Sequence, residues 1–423
     1  MLASNYKIAP GKFTGIQSRR NAGCSPPNAH VAGGRGFLSS RGIQATAVVG
    51  DTFHAECVTS TIETMTYHDN CMAEIGEAAP VVNNNDVQVG GLSLPTLSLI
   101  LGGLVLGGYA VKKTFDTPSR TYDQNVGDEY DSWTEDGILE YYWGEHIHLG
   151  YYTKAEREAG YKKRDFIEAK YTFIDKMLEW SGCKDPKTIL DVGCGIGGTS
   201  RHLAKYFPNA QITGITLSRN QVKRGTELAK ERNINNVEFK VMDALAMDYP
   251  DNSFDFVWAC ESGEHMPDKK AYVEEMMRVL KPGGTLAIAT WCQRDETEDN
   301  PLSEEDKDRL QFLYDEWAHP YFVSKEEYGR ICQSTGQLDD IVISDWTAPT
   351  IDSWRHSIWV GVWDPWIVIF KGPLAWYKVM REIVTLERMH RAFFDGLMEY
   401  GMIKAVKTES KIDNTVVKVE KEP

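Results

Sequence analysis

None of the eight cysteines stands in a C-x-x-C pair. Neither a zinc site nor a disulfide framework is indicated by that spacing. Basic residues are in deficit, 46 Lys and Arg against 61 Asp and Glu, for a net charge of −15. That balance argues against nucleic acid as a partner, because phosphate backbones recruit basic surfaces. Acids are missing altogether from residues 1–50, which hold Lys7, Lys12, Arg19, Arg20, Arg35 and Arg41 among many Ser, Ala and Gly. This is the composition of an organellar transit peptide, and no apolar stretch follows the start as in a secretory signal. Over 51–91 the balance inverts, with seven acids and no Lys or Arg. With Pro80, Asn83-Asn84-Asn85 and Gly90-Gly91, this reads as an acidic flexible linker. Charge of either sign is absent from 92–111, which is apolar apart from scattered Ser, Thr, Gly and Pro95. Its length matches the roughly 20 residues that cross a bilayer. Lys112-Lys113 follow at once, and positive residues mark the side that is not translocated. A transmembrane or membrane-anchor segment is therefore expected at 92–111.

What is present centres on Ile189-Leu190-Asp191-Val192-Gly193-Cys194-Gly195-Ile196-Gly197-Gly198-Thr199. An apolar strand runs into four glycines and then into a helical segment, the arrangement that lets a backbone loop approach a nucleotide. Gly193, Gly195 and Gly198 satisfy G-x-G-x-x-G, but two absences argue against a dinucleotide. The next strand, Gln211–Ile215, ends in Thr216-Leu217-Ser218, with no acid for a ribose. Asp191 also precedes the glycines, where a carboxylate repels a pyrophosphate and suits a cationic ligand without phosphates.

Asp191-Val192-Gly193-Cys194-Gly195-Ile196-Gly197-Gly198 resembles motif I of the class I S-adenosylmethionine-dependent methyltransferases, and Gly214-Ile215-Thr216-Leu217-Ser218 with Gln221 resembles their lipid and small-metabolite subgroup. Pro250 to Trp258 is similar to motif II, and Val279 to Ile288 to motif III. Over 120–407 the likeness is to the γ-tocopherol methyltransferase family. The resemblance implies S-adenosyl-L-methionine as methyl donor and no metal. It implies cofactor contacts at Asp191, Gly193, Cys194, Gly195, Gly197, Thr216, Leu217, Gln221, Asp243 and Ala244. Glu261-Ser262-Gly263-Glu264-His265 follows the fourth strand, where the methyl should sit. Drawing off a phenolic proton there enriches the ortho carbon, so Glu261, Glu264 and His265 are the catalytic candidates. The aromatic arm before the core resembles a lid, with Tyr130, Tyr142, His146 and His148 as candidates, and Trp354 belongs to the expected acceptor wall.

Strand and helix patterns alternate from Thr188 to Trp291, which predicts an α/β fold with a doubly wound, mostly parallel, Rossmann-like sheet. An N-terminal helical lid and an inserted or C-terminal cap complete it. The core spans 165–295 and the cap 296–400. Trp363 to Trp376 is expected to be buried, and 408–423 to be a disordered tail. The expected function is C-methylation of a prenylated phenol such as γ- or δ-tocopherol at a plastid (chloroplast) membrane, with the catalytic domain on the stromal side. The alternatives are an N- or S-methyltransferase of a small amine or other metabolite, and a non-catalytic membrane-bound scaffold on the same fold.

Overall fold

Short apolar runs alternate with amphipathic ones from Thr188 onward, and each apolar run becomes a strand of one eight-stranded sheet. In the computed structural model these are β1 Thr188–Val192, β2 Gln211–Thr216, β3 Val237–Val241, β4 Phe254–Cys260, β5 Leu280–Gln293, β6 Leu338–Asp345, β7 Met398–Lys407 and β8 Lys418–Glu420. Their order across the sheet is β8-β6-β7-β5-β4-β1-β2-β3. All pairs are parallel except those of β7, which runs antiparallel to β5 and to β6. The expected α/β class, doubly wound and mostly parallel, is the one observed.

The helices are α1 Leu94–Asp116, α2 Ile138–Trp143, α3 Lys154–Ala159, α4 Phe166–Ser181, α5 Gly198–Tyr206, α6 Arg219–Glu231, α7 Lys269–Val279, α8 Glu304–Glu316, α9 Lys325–Ser334, α10 Thr347–Thr350, α11 Asp352–Trp363, α12 Trp366–Lys371 and α13 Pro373–Phe394. Residues 88–89, 92–119, 127, 130–131, 134–135, 137–412 and 415–421 are described. The chain divides into two units at Pro80, and all described residues belong to the second. The expected transit peptide, and the linker apart from Gln88 and Val89, lie outside them.

Helix boundaries follow the local chemistry. Asp165 accepts from the N–H groups of Ile167 and Glu168 to start α4, and Gly182 ends it at φ 71°. Ser218 caps α6, and Asp268 caps α7. Ser303 and Asp306 form a capping box at the start of α8. The sheet is buried on both faces, which is why its central strands are apolar throughout rather than alternating. Phe173, Ile174 and Met177 of α4 pack with Phe256 and Trp258 on one side. Tyr272, Val273 and Met276 of α7 pack with Val257 and Ile288 on the other.

Three expectations are corrected. Among the described residues no helix is long and apolar enough to cross a membrane. The 92–111 stretch forms most of α1, which holds two glycine pairs and runs on without a break into Lys112, Lys113 and Asp116. The end of this helix is fastened to α13, where Arg381 donates to the carbonyls of Thr114 at 2.8 Å and Thr117 at 2.9 Å. Second, 363–376 is not a buried segment. Pro365, Gly372 and Pro373 break it into α12 and the start of α13, leaving Trp363 73% and Phe370 83% exposed. Third, part of the supposed disordered tail is strand β8, paired with β6 from Lys418↔Val342 to Glu420↔Ser344. Its alternating Val417-Lys418-Val419-Glu420 pattern suits a sheet edge, a signal that counting charges overlooks.

Candidate active site

The parallel strands end on one edge, and the loops that leave them build the site there. After β1 the backbone turns through Gly193, Gly195 and Gly197 at φ 79°, 55° and 79°. The N–H groups of Gly193 and Cys194 both donate to the Ile215 carbonyl at 2.9 Å, which ties the loop to β2. A Cβ at Gly193 would lie 2.3 Å from Ser262 Cβ, and one at Gly197 would lie 2.2 Å from the Phe239 ring. A Cβ at Gly195 would meet nothing within 4 Å. That is the face a ligand can approach.

Asp191 is buried beneath the loop and accepts from Ser200 Oγ at 2.5 Å. Burial raises its pKa to about 6, against the pull of the Ser200 bonds, so it is mostly ionised at neutral pH. At the end of β2, Thr216 Oγ1 donates to Gln221 Oε1 at 2.7 Å, and Leu217 stands half exposed beside them. After β3, Asp243 is exposed and accepts from the Leu245 N–H at 2.9 Å, while Ala244 is buried. All ten expected cofactor residues therefore share the ends of three adjacent strands.

An N-terminal arm crosses this edge. Gly127, Tyr130, Asp131, Thr134 and Glu135 are helical. A Cβ at Gly127 would meet Leu217 at 3.5 Å, and Asp131 accepts from Ser218 Oγ and from the Asn220 N–H. Glu140 receives Arg224 in a bidentate pair at 3.0 and 2.7 Å, and Glu145 lies between Arg201 and Arg232. Tyr130 points into the site, its hydroxyl 2.8 Å from His265 Nε2. Tyr142 instead donates to the Asp364 carbonyl at 2.6 Å, fastening the arm to the cap. His146 and His148 are buried against the glycine loop and α4 rather than lining an open lid. A Cβ at Gly198 would be 2.7 Å from His146 Cε1. Burial pulls His148 down to about 3 and His146 well below its ordinary value, so both are neutral beside the loop.

The turn after β4 carries the acids. Glu261 sits at φ 48°, a left-handed conformation that is strained for a residue with a side chain. Its Oε1 accepts from the Leu149 N–H and from Tyr400 Oη, both at 2.7 Å, and its buried Oε2 has no partner. Glu264 Oε2 accepts from Thr290 Oγ1 at 2.8 Å, and its buried Oε1 is also unpartnered. Burial raises Glu261 to about 8, with the charge of Glu264 adding to it, and raises Glu264 to about 7. Their titrations are linked, because the charge of one disfavours the charge of the other. His265 stacks on His319 with ring centroids 4.3 Å apart, and burial lowers it to about 3. Its Nδ1 is buried without a partner. Lys269 Nζ donates to the carbonyls of Gly263, Glu264 and Met266, which holds the turn closed.

An aromatic wall faces this turn. Trp354 is buried, stacks on Trp317 at 5.7 Å and meets Trp291 at 5.0 Å. His319 lies 5.5 Å from Trp291. The structure thus brings Glu261, Glu264, His265 and Tyr130 together, with His319 next to them and Trp354 reached through Trp291 and Trp317. Sequence reasoning missed His319, Tyr400, Thr290 and Lys269. His319 follows α8 in no motif, and Tyr400 belongs to a strand distant in the chain. Only the antiparallel register Trp291↔Tyr400 places that tyrosine here. Among the described residues no group of three or more His, Cys, Asp or Glu side chains is arranged to hold a metal.

A family described as a methyltransferase domain matches residues 189–284. A 2-methyl-6-phytyl-1,4-hydroquinone methyltransferase of Synechocystis sp. is 41% identical over 321 residues, 74% of this chain and 98% of that protein. A chloroplastic tocopherol O-methyltransferase of Arabidopsis thaliana is 33% identical, covering 64% of this chain and 79% of that protein. Among solved structures, the [4+2]-cyclase SpnF superposes with TM-score 0.54 at 24% identity, over 69% of this chain and 99% of that one. A geranyl diphosphate C-methyltransferase of Streptomyces coelicolor gives TM-score 0.52 at 19% identity, over 69% of this chain and 100% of that one. At those identities the two structures establish the fold and not the reaction, as a cyclase beside a methyltransferase illustrates.

Proposed function

The chain belongs to the S-adenosylmethionine-dependent methyltransferases, and on that premise we propose that it methylates a ring carbon of a prenylated hydroquinone or phenol, in the manner of tocopherol synthesis. S-adenosylmethionine, when bound, supplies an electrophilic methyl on a cationic sulfur. The residues present fit it: an open Gly195 face, an ionised Asp191 beneath the loop and neutral histidines beside it, while the guanidinium against the loop, Arg201, is engaged by the Ile196 carbonyl at 2.7 Å and by Glu145. In this reading Gly193, Cys194, Gly195 and Gly197 receive the methionine part. Thr216, Leu217 and Gln221 meet the ribose, and Asp243 with Ala244 the adenine.

The observation that carries the acceptor is the buried turn of Glu261, Glu264 and His265, with unpartnered oxygens and Nδ1, set against the wall of His319, Trp291 and Trp354. A flat aromatic ring stacks on such a wall. Glu261 accepts the phenolic proton through Oε2, Glu264 keeps its pKa high, and the neutral His265 orients the hydroxyl. The strained backbone at Glu261 and the two bonds to its Oε1 fix its direction. Tyr130 and the arm cover the edge and exclude water.

Association with a membrane surface, without a span, belongs to the same reading. Leu104, Val105 and Leu106 of α1 and Trp363, Trp366, Phe370 and Leu374 near α12 are exposed, and Lys112-Lys113 adjoin the first group. Isolated apolar side chains need no explanation, but patches of this kind mark contact surfaces. The plastid assignment is supported by residues 1–50 and by chloroplastic relatives in Oryza sativa and Arabidopsis thaliana.

The test incubates the full chain with methyl-labelled S-adenosylmethionine and a panel of 2-methyl-6-phytyl-1,4-hydroquinone, γ- and δ-tocopherol, a sterol and small amines. Label on a ring carbon of a prenylated acceptor, placed by NMR, is the expected result. Label on oxygen would replace C-methylation by O-methylation. Label only in an amine would favour the N-methyl reading that two Rauvolfia serpentina relatives, each 30% identical, represent.

A further inference from the structure

A nucleoside ribose presents two hydroxyl donors, and the usual strand-end carboxylate that receives them is absent here. Thr216 stands in its place, and its own hydroxyl donates to Gln221 Oε1 at 2.7 Å. Part of that amide oxygen's capacity is used, and the amide nitrogen can only donate. The end of β2 itself therefore holds no carboxyl acceptor for a diol. Asp131 brings one from the arm. Its Oδ1 accepts from Ser218 Oγ and, at 3.1 Å, from the Asn220 N–H. Asn220 Nδ2 donates in turn to the Asp131 carbonyl at 3.4 Å and to Glu135 Oε1 at 3.0 Å. Among the described residues, Oδ2 of the same carboxylate takes no hydrogen bond.

The contacts on Oδ1 are not needed to start α6. Ser218 already caps that helix by accepting from the Gln221 N–H at 3.0 Å. They hold one carboxylate oxygen against Ser218 and Asn220, just past the end of β2, and leave the other without a hydrogen bond among the described residues. Gly127, four residues earlier on the arm, lies close enough to Leu217 that a Cβ there would be 3.5 Å from it.

We infer that Asp131 replaces the missing strand-end acid, its free Oδ2 accepting a ribose hydroxyl of the bound nucleoside. This rests on the S-adenosylmethionine reading and deepens it. An acid on β2 would be in place in every state of the protein. An acid on the arm is in place only when the arm lies across the edge, so ribose recognition and lid closure become one event. Nucleoside binding then strengthens the closed arm, and the closed arm strengthens nucleoside binding, by the same factor.

The experiment titrates the full chain with S-adenosylhomocysteine and with its 2′-deoxy and 3′-deoxy analogues, in wild type, Asp131→Asn and Asp131→Glu. A hydroxyl bonded to an ionised acceptor is worth about 10–100-fold in affinity. Wild type is expected to lose that much on removal of one of the two hydroxyls. Asp131→Asn is expected to weaken S-adenosylhomocysteine by a similar factor and to discriminate among the three ligands by less than about threefold. Asp131→Glu keeps the charge but moves the oxygen by one methylene, and its discrimination should fall between the two.

Wild type that binds all three ligands equally overturns the inference. So does an Asp131→Asn protein that weakens all three in parallel, since Asp131 would then only fasten the arm. A wild-type chain that binds none of them overturns the cofactor reading and the inference with it. Tight, non-discriminating binding leaves the cofactor reading standing and removes the inference alone.

Discussion

The cofactor half of the strand edge is shaped by backbone, and the acceptor half by side chains drawn from segments distant in the chain. Gly193, Gly195 and Gly197 succeed because they carry nothing: a Cβ at either outer one would collide with Ser262 or Phe239, and the middle glycine leaves room for a ligand. Glu261, Glu264 and His265 succeed for the opposite reason. Each is a buried polar group with one arm held by Leu149, Tyr400, Thr290 or Tyr130 and another left without a protein partner. The first half tolerates almost no added atom. The second half stores unfavourable burial that a bound hydroxyl relieves. The two should therefore fail differently when altered.

The sharpest test of the difference is Glu261→Gln. The amide keeps the shape and the contacts to Oε1 but cannot take a proton. Methyl transfer should fall by about 10²–10⁴-fold, while S-adenosylhomocysteine affinity stays near wild type. Stability should move the other way. With Glu261 at about 8 and Glu264 at about 7, against an ordinary 4.5, the folded protein holds more protons than the unfolded chain from about pH 4.5 to pH 8. Stability thus falls as pH rises through that window. Activity, which needs the ionised carboxylate, should rise through about pH 8, where Glu261 is half ionised, and level off about one unit higher. Glu261→Gln should unfold at a higher temperature than wild type at pH 8 and show a flatter melting profile against pH. Parallel loss of activity and stability would mean that Glu261 is only a structural group.

Gly193→Ala attacks the other half. The new methyl meets Ser262 Cβ at 2.3 Å, in a backbone conformation that already disfavours a side chain. Overpacking of this kind costs about 1–3 kcal/mol, or about 10–100-fold in S-adenosylhomocysteine binding if the loop yields before the strands do. The double variant Gly193→Ala with Ser262→Gly removes the collision and should recover much of the loss. Without recovery, the constraint lies in φ alone.

These two halves were also unequally readable in the sequence. The glycine loop, Thr216, Gln221 and Asp243 occupy consecutive strand ends, so a local pattern and a strand count locate them. Glu261, Glu264 and His265 were accessible for the same reason, being one turn after β4. Their partners were not. His319 depends on the turn that closes α8 at Ala318, a residue at φ 50°, and Tyr400 on the antiparallel β5–β7 register. Neither spacing nor periodicity carries that information. The apolar run at 92–111 misled because length and hydropathy are one-dimensional. The ion pair from Arg388 to Asp116 and the Arg381 bonds that dock the helix end onto α13 are long-range contacts. The same limit applies to 363–376, where three backbone breakers decide which faces turn outward.

The acceptor wall should respond more mildly than its acids. Trp354 is buried and makes no hydrogen bond through Nε1, so Trp354→Leu removes stacking area without leaving a new unpaired group. A rise of about fivefold in acceptor KM is expected from aromatic contacts worth about 1 kcal/mol, with the KM for S-adenosylmethionine unchanged. A change confined to the methyl donor would move Trp354 out of the acceptor half.

The smallest effect is expected at the exposed aromatics, and it should appear only with a lipid surface present. Trp366 and Phe370 lie one turn apart on α12 with stacked rings, both pointing into solvent. Between Pro365 and Met380 the chain carries Lys371 and Lys378 and no acid, against a net charge of −15 overall. Apolar side chains with a basic fringe favour the headgroup region of an anionic bilayer. Replacing both aromatics by Ser removes no core contact, so the melting temperature should hold. Sedimentation with anionic vesicles should weaken by about 3–10-fold, in proportion to apolar area withdrawn from lipid. The KM for an acceptor presented in those vesicles should rise by a similar factor, while kcat in detergent micelles stays constant. Binding to vesicles that is unchanged in the double variant would leave α12 without a lipid role and shift attention to the exposed leucines of α1.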